Sequence, residues 1–485
     1  MIPDVSASPA YSTEKFELSI EFGVHRVKSL NIDDLDSPLS SPASDSEAQI
    51  EKDPKEPQLP PPDRGIRAWL YLAASFIVEA IVWGYPMAYG TFLNAYLLDP
   101  QYASQPQAAI SLPIVGPLSS GMIYCSGNVL NPFIGRYPRS RRAFVWIGSL
   151  LCFVSLFSSS YIKNVVYLVV LQGFLYGLGG SLLYAPTVSY LTEWFVERRG
   201  MANGVMFAGT GIGGFLFPLF LPSLLDKFGP EKSLRMLAIG LAVVLLPFLP
   251  FVKERLPMSR DRAPQPKWSR SAINNPAFWF ILVANTVHGL GFFVPYVWLP
   301  TFATALGANS TEASLTLALL NVCVSLSGVF CGILGDKINP WVLATCSASF
   351  ATFAIFILWG LAANSLGGLI AFGVLFGLIG GGWTAMWASL IKPMAAEDPE
   401  VATTLFGYLF LSRGLGNILS TPISTALIIG SASLDESTSS AHARVGYAVA
   451  NGKFRRMIIG AGIFLAGGVI AIGSGMIRER MKSQR

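Results

Sequence analysis

The chain has 485 residues, a formal net charge of +5, 52% hydrophobic residues and only 13% charged ones, with a mean hydropathy of +0.50. A water-soluble domain carries roughly 25% charged residues, so this chain cannot cover a water-facing surface, and its solvent is a lipid bilayer. Its basic residues fall in short clusters between apolar runs, which argues against a nucleic-acid surface, and no HExxH, GxxxxGK[ST] or CxxC pattern supports metal or phosphate-loop chemistry.

Residues 1–62 come first and are acidic and rich in Ser and Pro. Such a segment cannot bury enough apolar area to offset its ordering entropy, so it reads as a disordered cytoplasmic tail rather than a signal peptide. About 20 apolar residues cross the hydrocarbon as a helix. Twelve such spans follow, near 68–97, 109–134, 143–161, 165–190, 202–226, 233–252, 276–303, 313–335, 341–363, 366–391, 402–430 and 456–477. Charge, Pro and Gly mark the breaks, as in GRYPRSRR, EWFVERRG, LDKFGPEK and GDKINP. The spans predict an all-α polytopic membrane protein with twelve transmembrane helices. The longest break, within the linker 253–275, separates six spans in 63–252 from six in 276–477, and 478–485 remains as a short tail. Lys and Arg concentrate in the loops on the side of the two termini, which puts both termini in the cytoplasm. The five cysteines sit in or beside apolar runs and read as packing residues; no cofactor or metal is expected.

The two halves align with each other. A shift of 209 residues places Ala68 on Ala277, Glu79 on His288 and Pro86 on Pro295. A shift of 200 places Gly173, Gly177 and Gly180 on Gly373, Gly377 and Gly380, and one of 203 places Gly204, Gly211 and Gly213 on Gly407, Gly414 and Gly416. Duplicated halves point to a transporter with its site between them. Glycine-rich helices suit it, because close backbone contact carries helix packing in lipid.

These features resemble the major facilitator superfamily, in its fungal monocarboxylate-porter-like branch, over roughly residues 60–480. PDRGIRAW, 62–69, is similar to the branch's entry signature, with Arg64 in place of a glycine, and WFVERRGMANG, 194–204, to its pattern at the start of span five. NPFIGRYPRSRR and CGILGDKI occupy the loops where the superfamily carries a Gly-x-x-x-Asp-Arg/Lys motif. The second copy keeps Gly335, Asp336 and Lys337; the first keeps Gly135 and has Arg139 or Pro138 where an Asp is expected, so a charge latch is in doubt there. The resemblance implies two pseudo-symmetric six-helix bundles, the major facilitator fold, that open a central cavity alternately to each side, often with proton coupling. Animal members carry a lysine where Met87 stands and an Asp and an Arg in span eight, where this chain has Asn321 and Ser325. The family's anion-binding arginine is therefore missing.

Three ionisable residues lie 11–12 positions into their spans: Glu79, His288 and Arg413. At 1.5 Å per residue each is roughly 17 Å deep, where a charge costs about 2.5–3.5 kcal/mol. Arg413 reads as an anion clamp that also pairs with Glu79 when empty, or as a buried contact fixing span eleven. Glu79 reads as a proton carrier, or as a protonated acid bonded to a neighbouring helix; His288 as a second titrating group, or as a neutral interhelical contact. Asn321 joins the candidates by position. Trp83, Tyr85, Tyr89, Tyr296 and Trp298 flank Pro86 and Pro295, which bend their helices, and read as cavity-mouth or belt aromatics; Trp383 and Trp387 read as substrate contacts or packing.

The leading expectation is a secondary active transporter for a small, monocarboxylate-like organic anion, with protons as a possible second cargo. A pump exporting a bulkier apolar metabolite is the alternative, supported by the aromatics and the lost family charges. A non-transporting membrane sensor is a third reading, and no nucleophile–base or metal constellation supports an enzyme. A monomer in the plasma membrane is expected.

Overall fold

The computed structural model describes residues 61–256, 274–335, 337–395, 399–432 and 445–483. The tail 1–62, the linker 253–275 and the end of the chain fall wholly or partly outside the described residues, as does Asp336.

Backbone polar groups in a bilayer must be satisfied within the protein, and a helix does this within a single segment. The described residues are accordingly helical, without strands. The helices are α1 (Ile66–Leu98), α2 (Ala108–Arg136), α3 (Arg141–Ser159) and α4 (Val165–Trp194). The stretch Arg199–Leu245 is helical except at Gly229, whose φ of 73° divides it into α5 (199–228) and α6 (230–245). Glycine adopts that left-handed conformation without a Cβ penalty, and Pro230 then opens α6. The second half holds α7 (Pro276–Ala305), α8 (Ser310–Gly335), α9 (Pro340–Ala362), α10 (Leu366–Ala395), α11 (Pro399–Ala432) and α12 (Arg455–Ser483). Ten helical stretches among the described residues are long and apolar enough to cross a membrane, with Arg199–Leu245 taken as one. The break at Gly229 divides that stretch in two, and α11 is not among the ten.

The sequence writes several helix starts explicitly. Asn275 and Asn339 each accept a bond from the amide two residues on, at 3.1 and 2.9 Å, with proline at the first helical position. Each pair satisfies one orphan N–H and removes another. The lipid-facing sides present exposed Leu150, Val170, Val243 and Ile470.

Hydrogen bonds define two end faces. On the near face, with the start of α1, the Asp63 carboxylate accepts the N–H groups of Val196, Glu197 and Arg198 at 2.9–3.2 Å. Burial would raise the Asp63 pKa, but these bonds and the nearby Arg198 charge outweigh it and hold it below the ordinary value. Arg141 pairs with Glu193 at 2.7 Å, and Glu193 also accepts from the Arg255 amide at 3.1 Å. The charge pair of the GRYPRSRR loop is thus made by Arg141; Arg139 is exposed. On the far face Gln105 donates to Lys163 O at 2.8 Å and Arg456 to Gly430 O at 2.9 Å.

Among the described residues, three of the seams between the halves carry marked contacts. In α1–α7, Thr304 donates to Asn94 Oδ1 at 3.1 Å. In α2–α11, Asn128 donates to the Gly407 carbonyl at 2.8 Å. In α5–α8, Gly211 and Gly214 lie against Ser325 and Asn321.

Candidate functional site

Helix α11 carries Arg413 into the interior, where its side chain meets α7. Arg413 is 4% exposed and His288 fully buried. Arg413 Nη1 lies 2.8 Å from His288 Nδ1. A guanidinium has no acceptor, so Nδ1 must accept and the imidazole proton sits on Nε2. That Nε2–H and the Arg413 Nε–H are both buried with no hydrogen-bond partner among the described residues.

Aromatic rings hold this pair. His288 stacks on Trp383 of α10, with centroids 4.4 Å apart and planes 11° apart, and lies 5.0 Å from the Phe292 ring. The guanidinium sits 5.2 Å from the Phe292 centroid. Trp383 is anchored in turn: its indole N–H donates to Asn285 Oδ1 at 2.8 Å, and Asn285 donates to Leu409 O and Ser412 Oγ of α11 at 2.8 and 2.6 Å. Buried polar groups left unpaired cost free energy comparable to a lost hydrogen bond. Two N–H donors are thus left open beside the hydrogen-bonded Trp383 and Asn285.

Glu79 is elsewhere. It is 2% exposed, and its Oε1 accepts from Thr210 of α5 at 2.8 Å. No Glu79–Arg413 ion pair is present among the described residues; the arginine's partner is histidine. The expectation of that pairing is corrected, and the internal repeat gives the reason. A shift of 209 places Glu79 on His288, and the shift of 203 that aligned the glycines places Thr210 on Arg413. The two buried polar pairs are therefore counterparts, α1–α5 in one half and α7–α11 in the other. Their crossings match too: a Cβ on Gly213 would strike the Ala80 carbonyl at 2.2 Å, and one on Gly416 the Thr286 carbonyl at 2.6 Å. Applying the 203 shift to position 413 would have found Thr210 in the sequence.

The remaining candidates scatter. Trp83 packs on Tyr124 and Tyr184, with centroids 4.8 and 5.8 Å away, and Tyr124 reaches across to Phe410 of α11 at 5.7 Å. Tyr296 stacks on Phe293 at 5.2 Å, and Trp387 meets Phe410 edge-on. Tyr85 and Tyr89 are not at a cavity mouth: Tyr85 donates to Gln172 at 2.7 Å, Gln172 to Tyr96 at 3.0 Å, and Tyr89 to Leu112 O at 2.8 Å. Trp298 donates to Ser424 at 3.1 Å. Asn321 donates to Leu317 O and Met87 O at 3.0 and 3.4 Å, and so packs in the interface between halves. Pro86 stands inside an unbroken α1, whereas α7 is interrupted at Phe293, just before Pro295. Gly335 is buried beside Ser389, and Lys337 is exposed.

The family model described as Major Facilitator Superfamily matches residues 71–421. Among curated proteins, the MFS-type transporter pynF of Aspergillus niger is 24% identical over 390 residues, which is 80% of this chain and 87% of the relative. The aspyridones efflux protein apdF of Emericella nidulans is 24% identical, over 90% of this chain and 83% of its own length. The agnestins efflux protein AgnL12 of Paecilomyces divaricatus is 25% identical, with coverage of 75% and 81%. Among solved structures, the nucleoside transporter NupG superposes with a TM-score of 0.60 at 13% identity, covering 84% of this chain and 99% of its own. A bacterial homolog of the human lysosomal transporter Spinster, inward-facing and unoccupied, gives 0.58 at 15% identity, covering 85% and 97%. At these identities the solved structures speak for the fold alone.

Proposed function

The chain belongs to the major facilitator superfamily and is a membrane transporter rather than an enzyme; on that premise we propose that it exports an apolar, aromatic-rich metabolite bearing an acidic or carbonyl oxygen. The observation that carries this reading is the pair of unpartnered N–H donors on Arg413 and His288, set between Phe292 and Trp383. A positive charge at any relevant pH attracts an anion, and flat aromatic walls suit an unsaturated body. Relatives named as efflux proteins support the outward direction.

In this mechanism the halves 63–252 and 276–477 rock about the three seams, and the cargo oxygen occupies the donors of Arg413 and His288 while its apolar body lies against the rings. Glu79 carries the coupling proton, with Thr210 holding its carboxylate in place. Both termini face the cytoplasm, and the protein acts as a monomer in the plasma membrane. PDRGIRAW and WFVERRGMANG support the monocarboxylate-porter-like branch. The test is transport in sealed vesicles with an imposed pH gradient, screening small monocarboxylates against larger aromatic acids. Accumulation of the larger acids against their gradient is the expected result; transport of small monocarboxylates alone would restore the small-anion reading.

A further inference from the structure

Arg413, Asn417, Thr421 and Thr425 follow one another at intervals of four on α11. All four are at least 96% buried, and each has a side-chain atom without a hydrogen-bond partner among the described residues: Nε, Oδ1, Oγ1 and Oγ1. At 1.5 Å per residue the column is about 18 Å long, and at about 100° per residue it turns by about 40° at each step.

Its neighbours on the helix fix where it points. Gly416 abuts Thr286 and Gly289 of α7, whereas Gly414 and Ile418 abut Gly121 of α2. Leu415 and Leu419, on the opposite side, are 45% and 49% exposed. The column therefore lies between the α7 and α2 contacts, at the seam between the halves, and leads from the Arg413–His288 pair toward the far face. Helix α5 carries Thr210, Gly214, Pro218 and Pro222 at the matching positions, so only the second half is equipped with a polar track. Packing alone would favour apolar side chains here. Four buried hydrogen-bonding groups left open at a closed seam make physical sense when the seam opens and something polar meets them.

We propose that this face of α11 is the wall of the far-side exit path, and that it selects cargo carrying further oxygen atoms, hydroxyl or carbonyl, beyond the group held at Arg413. The inference rests on the transporter reading, because it needs the halves to part at this seam.

The test places single cysteines at 417, 421 and 425, with 415 and 419 as lipid-facing controls, and applies a charged, membrane-impermeant thiol reagent from the far side. Labelling at the three column positions should be at least tenfold faster than at the two controls. Equal labelling at all five, or no labelling at the three in variants that still transport, overturns the proposal. A second measurement follows export of cinnamate and 4-hydroxycinnamate by Thr421→Val. The ratio of hydroxylated to parent flux should fall at least fivefold, and an unchanged ratio overturns the selectivity. The tenfold labelling difference together with full export by Arg413→Ala would uphold the column and remove only the anion clamp.

Discussion

The guanidinium of Arg413 donates to the imidazole of His288 across 2.8 Å and so joins α11 to α7 in the interior of the second half. Its repeat counterpart, Thr210 to Glu79, joins α5 to α1 at the same separation. The two matching positions of the repeat thus hold a cationic pair in one half and an acidic pair in the other.

Arg413→Lys tests the geometry of the cationic pair. Lysine keeps the charge but loses the planar fork. A hydrogen bond to a charged group contributes about 1.5–3 kcal/mol, about 10- to 150-fold in affinity. Export should fall at least tenfold while surface expression holds, as read by flux and by surface biotinylation. A loss below twofold would show that the fork is dispensable.

Glu79→Gln tests the acidic pair. Glutamine can still accept from Thr210 but cannot release a proton. The variant should keep exchange of cargo across the membrane and lose its dependence on the pH gradient, measured as flux against pH in vesicles. Thr210→Val should weaken coupling more mildly, since a neutral hydrogen bond contributes about 0.5–1.5 kcal/mol. A pH profile in Glu79→Gln identical to wild type would remove Glu79 from the coupling step.

Gly213→Ala and Gly240→Ala should move stability in opposite directions. A methyl at 213 meets the Ala80 carbonyl at 2.2 Å, whereas position 240 has nothing within 4 Å. Overpacking costs about 1–3 kcal/mol; an unhindered helical glycine replaced by alanine gains about 0.5–1 kcal/mol. Thermal unfolding in detergent reads both. Matching shifts would mean that the α1–α5 crossing does not depend on the missing side chain.

Asp63 gives a pH prediction at the near face. Its carboxylate is held below the ordinary Asp value of 3.8 by the backbone bonds to residues 196–198. A depressed carboxylate contributes stability that is present above the unfolded value and lost as pH falls through the folded one. Hydrogen exchange of the Val196–Arg198 amides should therefore stay slow at neutral pH and speed up only in strong acid, below that value. In Asp63→Asn it should be faster already at neutral pH. Equal protection in both proteins at pH 7 would mean that the carboxylate does not hold this turn.

Much of the architecture was legible because lipid imposes a strong rule: a span must be long, apolar and helical. The Gly229 break was legible as GP in LDKFGPEK, and the Asn-Pro starts follow from capping chemistry. The site was half legible. Arg413, His288 and Glu79 stood out because charge inside an apolar run is costly. Their partners did not, because Thr210 is unremarkable on a helix until the repeat is applied to it. Tyr85 and Tyr89 misled for a related reason: aromatics in a span look like interface residues unless the buried Gln172 that satisfies them is known. The Arg141–Glu193 pair was missed because the family pattern drew attention to 138 and 139.

The most direct measurement follows an apolar aromatic acid into sealed inside-out vesicles carrying wild type or Arg413→Ala at equal protein levels. Accumulation by the wild type and its loss in the variant is the expected result. Equal accumulation in both would contradict a cargo oxygen held at the Arg413–His288 pair.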